Sequence, residues 1–442
     1  MKKFVFLCFI LLACVLYAGA AALTLSACEK AALDNSPDIK TLSAQADAAE
    51  QAYKNISSSL YPSINFEANG SYVTEVPQIN LGPQNFKFGD NWGYSLGPVL
   101  YYTLFDYGAR QDAGKSAKSA YEAAQAQLDW GRKNVLLSVR LAYFKVTADL
   151  ENMFLLAGQL EVARRQSSDV KAAFNAGAKS DLDVYMADKQ VMTLLSQINS
   201  ARAETASDLR DLFEITVDDF GVNPSYPLDA RLANTAGLEP PSVLLSVDNV
   251  DAALENFNVY NYFDFDAAGP QLVAQDKMIE YYNRLASSYK SSLWPNVALK
   301  AGAYLEYPNG PLRESVFLGS GSLSVVVPLF EGSRTRSKAE EQRHNAAAAS
   351  AQREQVFNNL KKIFDGAKDR LNSIKTEQKL AEQIIQNNKR TVDLTYSAYK
   401  AGNVTFLEVD TADNKLTEGK ANLVNLKIEN LTKLAVIASL GK

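Results

Sequence analysis

Cysteine and histidine are scarce in this sequence, which has three Cys and one His among 442 residues. The single histidine, His344, has no Cys or His at metal-ligand spacing, so the sequence predicts no metal site. It also contains no nucleophile elbow, no phosphate-binding loop and no zinc motif. We therefore expect no catalytic residues, no cofactor and no enzymatic activity.

The chain also lacks an excess of positive charge. Its formal net charge is −5 at pH 7, and no basic patch interleaved with aromatic residues occurs along it. Nucleic-acid-binding proteins carry a basic footprint of that kind. The composition therefore argues against a nucleic-acid partner.

Only the start of the chain has the apolar run of a targeting segment. A pair of lysines precedes the apolar residues 4–17, which are followed by Ala18-Gly-Ala20. At roughly 14 residues this run is short for a membrane-spanning helix, which needs about 20. The small residues after it match a signal-peptidase site. The pattern predicts a signal peptide over residues 1–20 and export from the cytoplasm.

Cys28 is the cysteine that remains after removal of the signal peptide, so no internal disulfide is expected. The stretch Leu25-Ser-Ala-Cys28 fits the pattern for lipidation of an exported protein. Residues 23–33 also predict a helix that begins before Cys28, in which Cys28 would be a packed apolar residue. Lipidation and packing both stand as hypotheses for this cysteine.

One eleven-residue pattern occurs twice, over residues 174–184 and 399–409. Each copy has a glycine that can end a helix at positive φ, then a hydroxyl residue that can cap the next helix. An acidic residue three positions later completes a capping box. These residues are Gly177, Ser180 and Asp183 in the first copy and Gly402, Thr405 and Glu408 in the second. Each copy therefore predicts the tip of a helical hairpin.

The match between the copies continues into the following helix with coiled-coil spacing. Apolar residues recur at intervals of three and four, and the same spacing appears in both copies. They are Val184, Ala187, Val191, Leu194, Ile198 and Ala201 in the first copy, and Val409, Ala412, Leu416, Gly419, Leu423 and Leu426 in the second. A repeat with one register indicates an internal duplication.

Four segments alternate apolar and polar residues, as strands with one apolar face do. Pro62, Pro295 and Pro328 mark the corners between these strands and helices. Each strand pair is followed by roughly 70 residues without a helix break, which would span about 105 Å as one helix. The predicted strands cover residues 63–73, 92–104, 296–305 and 316–329.

Four strands cannot close a membrane barrel, which needs at least about eight, and a bilayer does not tolerate an open sheet edge. Three chains would supply a 12-stranded β-barrel. The predicted fold is thus an α+β membrane protein, with a long antiparallel α-helical coiled-coil barrel and a trimeric β-barrel. Its parts are a first repeat (21–219, tip near 177), a linker (220–262) and a second repeat (263–442, tip near 402).

The ordered motifs resemble the TolC-like outer-membrane efflux proteins, the outer-membrane factors of Gram-negative bacteria. The resemblance is carried by Asn35-Ser-Pro37, the corner Val327-Pro-Leu-Phe-Glu-Gly332 and the two tips. It implies a homotrimer in outer-membrane lipid, with its helical part in the periplasm. It further implies a periplasmic adaptor docked at the tips, and an inner-membrane pump of the RND, ABC or MFS class. The first corner departs from the pattern, with Thr103 in place of proline.

The resemblance also implies a role for the tips in gating. Glu408 lies where the family tends to place inward acidic side chains. Some members carry a basic residue two positions after the second tip glycine, where this chain has Val404; Lys179 takes that place in the first copy. An ion pair of Lys179 with Asp183 or Glu408 is one way in which the two tips could be held together.

Two functions follow as hypotheses. The first is a trimeric exit duct for efflux or type I secretion. The second is an exported periplasmic coiled-coil protein that tethers envelope layers without channel activity. Aromatic residues at the ends of the strands and apolar residues between them favour lipid contact and thus the duct.

Overall fold

The computed structural model describes residues 21–442 except 234, 236, 237 and 239. The expected signal peptide, residues 1–20, lies outside this description. Two 3₁₀ helices cover Ala230–Leu232 and Asn258–Tyr262. The other elements are, in chain order, β1 (Ala21–Leu23), α1 (Leu25–Asn35), α2 (Pro37–Ser58), β2 (Ser63–Tyr72), β3 (Gln78–Leu81), β4 (Gln84–Lys87), β5 (Trp92–Phe105), α3 (Ala109–Asn175), α4 (Asp181–Thr216), β6 (Pro227–Asp229), β7 (Val243–Val247), α5 (Val250–Phe257), α6 (Pro270–Ser291), β8 (Asn296–Tyr307), β9 (Val316–Val326), α7 (Arg334–Lys400) and α8 (Phe406–Leu440).

These elements divide into two compact units. The sheet unit consists of residues 41–130 and 268–358. The hairpin unit consists of the described residues within 1–40, 131–267 and 359–442. Helices α3 and α7, with 67 residues each, contribute to both units. None of the helices in the described part of the chain combines the length and apolar character needed to cross a membrane.

The sheet unit contains an antiparallel sheet with the strand order β2-β5-β8-β9. Its register places most of the apolar residues of the four strands on one face, because directly paired residues point to the same side. One such row is Ala68, Leu96, Leu305 and Phe317. Phe317 is 79% exposed. The sheet therefore presents an apolar face that one chain leaves uncovered.

The opposite face of this sheet is polar. One row across it consists of Ser63, Tyr101, Lys300 and Ser322. The hydroxyl of Tyr101 donates a hydrogen bond of 2.6 Å to the carboxylate of Glu67. The alternation predicted from the sequence thus becomes a sheet with one apolar and one polar side.

Two details of the sheet unit differ from the sequence expectations. The stretch between the first two predicted strands contains the hairpin β3–β4, which the sequence analysis did not predict; its turn includes Gly82 at a φ of +66°. Strand β9 ends at Val326 rather than near residue 329. Pro328 has no backbone N–H to donate to a sheet, so pairing stops before it.

The hairpin unit contains a second sheet, parallel, with the order β1-β7-β6. Its strands β6 and β7 lie in the segment 220–262, which the sequence indicated only as a linker. The sequence also predicted a helix from residue 23, whereas Leu23 belongs to β1 and α1 begins after the N-cap Thr24. Pairing of β1 with β7 supplies the hydrogen bonds that favour the extended backbone there.

Cys28 lies within α1 and is fully buried. Burial, and then the nearby carboxylate of Asp248, raise the pKa of its thiol to about 12. Lipidation would make Cys28 the first residue and would remove β1 and the Thr24 cap. The geometry therefore favours the hypothesis of a packed helix cysteine.

We expect Cys28 in the folded protein to resist alkylation by iodoacetamide at pH 8, because the thiol is buried and protonated. Denaturation should make it fully reactive. Intact mass spectrometry after each treatment measures this difference. Rapid labelling of the folded protein, or an acylated Cys28 at the N-terminus, would contradict the packed environment.

A pair of acidic side chains lies between α3 and α4. Asp208 is buried, and one of its carboxylate oxygens accepts a hydrogen bond of 2.7 Å from Lys145. Its other oxygen and one oxygen of Asp149 are buried without a hydrogen-bond partner among the described residues. Burial, and then the Asp208 and Glu204 carboxylates, raise the pKa of Asp149 to about 8. The pair therefore retains a proton to a higher pH than an isolated carboxyl group does.

This raised pKa predicts a pH-dependent stability. The proton on Asp149 stabilises the folded state fully below about pH 4, and this stabilisation is lost as the pH rises through about 8. The variant Asp149→Asn cannot ionise, so it should not lose this stabilisation as the pH rises. We expect the melting temperature of the variant minus that of wild type to be larger at pH 9 than at pH 5. An equal difference at both pH values would contradict the assignment, and the exposed Asp365→Asn is the matched control.

Candidate functional site

The ends of α3 and α7 have the same backbone geometry. Gly177 and Gly402 adopt φ values of +75° and +83°. In the first tip, the N–H of Ala178 donates to the carbonyl of Ala173 at 2.8 Å. In the second, the N–H of Asn403 donates to the carbonyl of Ala398 at 2.9 Å. Together with the bonds from each glycine N–H, this is the Schellman pattern that ends a helix at a left-handed residue.

The next helix, α4, begins with a reciprocal capping box. The hydroxyl of Ser180 accepts a hydrogen bond of 3.3 Å from the N–H of Asp183. The carboxylate of Asp183 accepts one of 3.1 Å from the N–H of Ser180. Two backbone donors that a helix N-terminus leaves free are thereby satisfied, and the negative charge lies at the positive end of the helix dipole.

The start of α8 depends more on its carboxylate. The N–H of Thr405 donates to Glu408 at 2.8 Å, while the N–H of Glu408 donates to the backbone carbonyl of Thr405 at 3.2 Å. The Thr405 hydroxyl lies 3.4 Å from the Glu408 carboxylate. Both acidic residues predicted for the tips therefore cap helices; Glu408 is exposed and Asp183 is half-buried.

Lys179 joins the two tips. Its ammonium donates a hydrogen bond of 2.6 Å to the backbone carbonyl of Tyr399 and lies 3.7 Å from the centre of the Tyr399 ring. A cation at this carbonyl is also favoured by the negative end of the α7 dipole. The suggested pairing of Lys179 with Asp183 or Glu408 is absent among the ion pairs of the described residues. Tyr399 takes its place because the α7 C-terminus offers both a ring and a carbonyl.

An apolar cluster lies beneath this contact, with members from all four tip helices. The ring of Tyr399 packs edge-on against Phe406, with 5.5 Å between ring centres. Among the described residues, the buried hydroxyl of Tyr399 has no hydrogen-bond partner. Burial, and then the nearby charge of Asp183, raise its pKa to about 12. The buried residues of the cluster are Val170, Ala187, Tyr399, Phe406 and Val409.

Two polar contacts continue the connection between the hairpins away from the tips. The hydroxyl of Tyr396 on α7 donates to Asp169 on α3 at 2.7 Å. The amide of Gln166 on α3 donates to the buried carboxylate of Asp413 on α8 at 2.8 Å. Together with Lys179, these bonds hold the two hairpins of one chain against each other.

The sequence did not single out Tyr399, Tyr396 or Asp169. Tyr399 and Phe174 occupy the same place in the two copies, three residues before the tip glycine. That shared aromatic position was a signal in the sequence, although it does not identify the residue that Tyr399 contacts.

The corner prolines Pro62 and Pro295 immediately precede β2 and β8. In the part of the chain that the structure describes, no three His, Cys, Asp or Glu side chains gather as metal ligands would.

We expect Lys179→Met to loosen the contact between the tips, because methionine keeps the aliphatic stem and removes the ammonium. Loss of the cation–π contact should raise amide exchange in residues 396–402 by about fivefold to tenfold. Hydrogen–deuterium exchange measures this effect. Lys171→Met removes the ion pair with Asp188 in the same unit and serves as the control. Unchanged exchange in Lys179→Met would contradict the contact.

Known proteins resemble this chain over most of its length. It is 23% identical to the outer membrane protein TolC of Vibrio cholerae serotype O1, over 90% of this chain and 86% of the relative. It is 22% identical to TolC of Escherichia coli K12, over 93% of this chain and 81% of the relative.

Solved structures show the same fold. A crystal structure of CusC superposes with a TM-score of 0.75 at 15% identity and covers 94% of this chain and 92% of its own. The outer membrane protein VceC of Vibrio cholerae gives a TM-score of 0.74 at 18% identity. This match covers 94% of the present chain and 95% of VceC.

The family model described as "Outer membrane efflux protein" matches residues 30–216 and 266–440. These ranges include both tips and all four strands of the antiparallel sheet. Because they make up most of the sequence, the chain belongs to the outer membrane efflux protein family, and it is an outer-membrane transport protein whose helical part lies in the periplasm.

Proposed function

We propose that three copies of this chain form a closed channel in the outer membrane. The observation that carries the proposal is the four-stranded sheet, whose outer strands β2 and β9 each have one unpaired edge in the described part of a single chain. A bilayer requires every backbone polar group to be paired. Pairing of β2 in one copy with β9 in the next satisfies both edges and gives twelve strands after three copies.

The exposed apolar face supports the same arrangement. Its strands turn Ile64, Phe66 and Phe317 outward, each at least 69% exposed. In a closed barrel this apolar face contacts lipid, whereas the polar face, which includes Lys300, lines the lumen. A small soluble sheet in a tethering protein would leave these side chains in water, which disfavours the tethering hypothesis.

We also propose that the chain arose from two copies of one unit, covering residues 21–219 and 263–442. Support comes from the tips, where the Schellman bonds are repeated and each capping residue bonds an acidic residue three positions later. Residues 220–262 then connect the two units.

The paired tips are our candidates for adaptor docking and gating. The loops at Gly177 and Gly402 are exposed, and Leu182 and Leu407 next to them are 66% and 55% exposed. Such solvent-facing leucines suit a protein partner, here a periplasmic adaptor that links the duct to an inner-membrane pump. Separation of the tips would break the bond between Lys179 and Tyr399, which makes this bond a restraint on opening.

Acidic side chains at the tips would act on permeating ions. In a trimer, Asp183 and Glu408 contribute six carboxylates close to the tip loops. Negative rings of this kind favour cations in a pore. Because both residues also cap helices, their charge and their capping role must be separated by experiment.

The test is single-channel recording of purified protein in planar bilayers. The double variant Asp183→Asn with Glu408→Gln keeps the carbonyl acceptors for capping and removes the charges. We expect the wild type to conduct with a preference for cations and the double variant to lose most of that preference. Asp181→Asn, an exposed acidic residue outside the capping box, is the matched control.

Two results would count against the proposal. Purified protein that forms no channels and remains monomeric in detergent would exclude the duct. Channels whose cation preference is the same in wild type, double variant and control would leave Asp183 and Glu408 as capping residues only.

A further inference from the structure

Two helices of the hairpin unit expose apolar side chains at coiled-coil spacing. On α7, Leu380, Ile384 and Leu394 fall on one stripe of three- and four-residue steps, and each is at least 51% exposed. On α4, Tyr185 and Met192 lie one heptad apart, and each is at least 68% exposed. Stripes of this kind are the surfaces through which the helices of a coiled coil contact each other. Each stripe therefore indicates a contact beyond those of one chain.

The two tip glycines show which buried surface corresponds to the α7 stripe. Gln166 on α3 lies eleven residues before Gly177, and Thr391 on α7 lies eleven residues before Gly402. The α7 stripe is thus the second-half counterpart of one face of α3. The same count gives the other pairs of equivalent positions, which are Leu155 with Leu380, Gln159 with Ile384, and Asp169 with Leu394.

Within one chain, this face of α3 packs against α8. The amide of Gln166 donates a hydrogen bond of 2.8 Å to the carboxylate of Asp413. The hydroxyl of Thr417 donates one of 3.1 Å to the amide oxygen of Gln159. Gln159, Gln166 and Asp413 are buried. The first hairpin thus meets the second through a polar contact between α3 and α8.

The α4 face is the first-half counterpart of this α8 face. Counted from the tip glycines, Asp188 corresponds to Asp413, and Met192 corresponds to Thr417. Asp188 forms an ion pair of 2.7 Å with Lys171 of its own hairpin, so its charge is balanced before any further helix packs there. Met192 places an exposed apolar side chain where α8 has a hydroxyl. The α4 face is therefore the more apolar of the two.

We propose that the α7 stripe of one copy packs against the α4 face of the next copy, and that this contact is apolar where the contact within a chain is polar. Ile384 then lies beside Met192 of the next copy, as Gln159 lies beside Thr417 within one chain. The contact connects the second half of one copy to the first half of the next. Pairing of β9 with β2 connects the copies in the same direction.

This inference rests on the proposal that three copies form a closed channel. Two unlike surfaces on one chain join copies head to tail, and such a series ends only when a ring closes. The exposed apolar residues of both surfaces leave water when the ring forms, which supplies a driving force for assembly. The contact therefore extends the association of copies from the sheet unit to the hairpin unit.

Cross-linking of cysteine pairs tests the contact in the full-length, detergent-purified protein. Ile384→Cys and Met192→Cys would be combined in a Cys28→Ser background and treated with a short bismaleimide. We expect most of the protein to run as covalent dimers and trimers on a denaturing gel, because the two thiols belong to different copies. Asp169→Cys with Tyr396→Cys, whose native side chains share a hydrogen bond of 2.7 Å, is the control for a link within one chain.

A second cysteine pair tests the register of the two helices. Asn199 lies one heptad beyond Met192 on the same stripe, about 10.5 Å along the helix. Because of this separation, Ile384→Cys with Asn199→Cys should give about fivefold fewer covalent dimers and trimers than the pair with Met192→Cys. Equal yields from the two pairs would contradict the proposed contact.

Light scattering of the wild-type protein in detergent measures the number of copies separately. A trimer in which Ile384→Cys and Met192→Cys give no link between copies, while the control pair reacts, would overturn the contact between α7 and α4. It would leave the channel proposal intact. A protein that is monomeric in detergent and gives only monomers on the gel would overturn both.

Discussion

The pairing of β-strand edges is the constraint on which the rest of this structure depends. The four-stranded sheet satisfies its inner backbone groups, whereas the outer edges of β2 and β9 have no partner in the described part of one chain. Lipid offers no hydrogen bonds to such edges, so an outer-membrane protein must close its sheet. In the channel that we propose, the exposed apolar face and the polar face acquire opposite environments, and assembly of several copies is part of folding.

In the channel that we propose, one set of tip residues serves both structure and function. Glycine at positive φ and a following capping box turn the chain sharply, and the capping carboxylates remain near solvent. Their charges are therefore available to ions at no additional structural cost. Lys179 then connects the two turns through Tyr399, so a hydrogen bond and a cation–π contact join the tips of the two hairpins.

Much of the fold could be predicted because its signals are local and periodic. Alternation over ten or more residues identified the four long strands, and the repeated glycine and capping pattern located both tips. Strand β1 and its partners β6 and β7 could not be found, because three to five residues show no period and the pairing joins distant parts of the chain. The contact of Lys179 with Tyr399 was missed for a related reason. It depends on which helices meet, and sequence spacing within one helix does not specify that.

The central claim is that β2 of one copy pairs with β9 of the next, and disulfide cross-linking tests it most directly. Single cysteines would be placed in turn along Ser63–Tyr72, each combined with Gly321→Cys in a Cys28→Ser background. Val99→Cys with Gly302→Cys, which are paired within one chain, provides the control for an intramolecular bond. The account predicts covalent dimers and trimers at a few neighbouring positions and their loss on reduction. Monomers at every position, with the control disulfide formed, would contradict it.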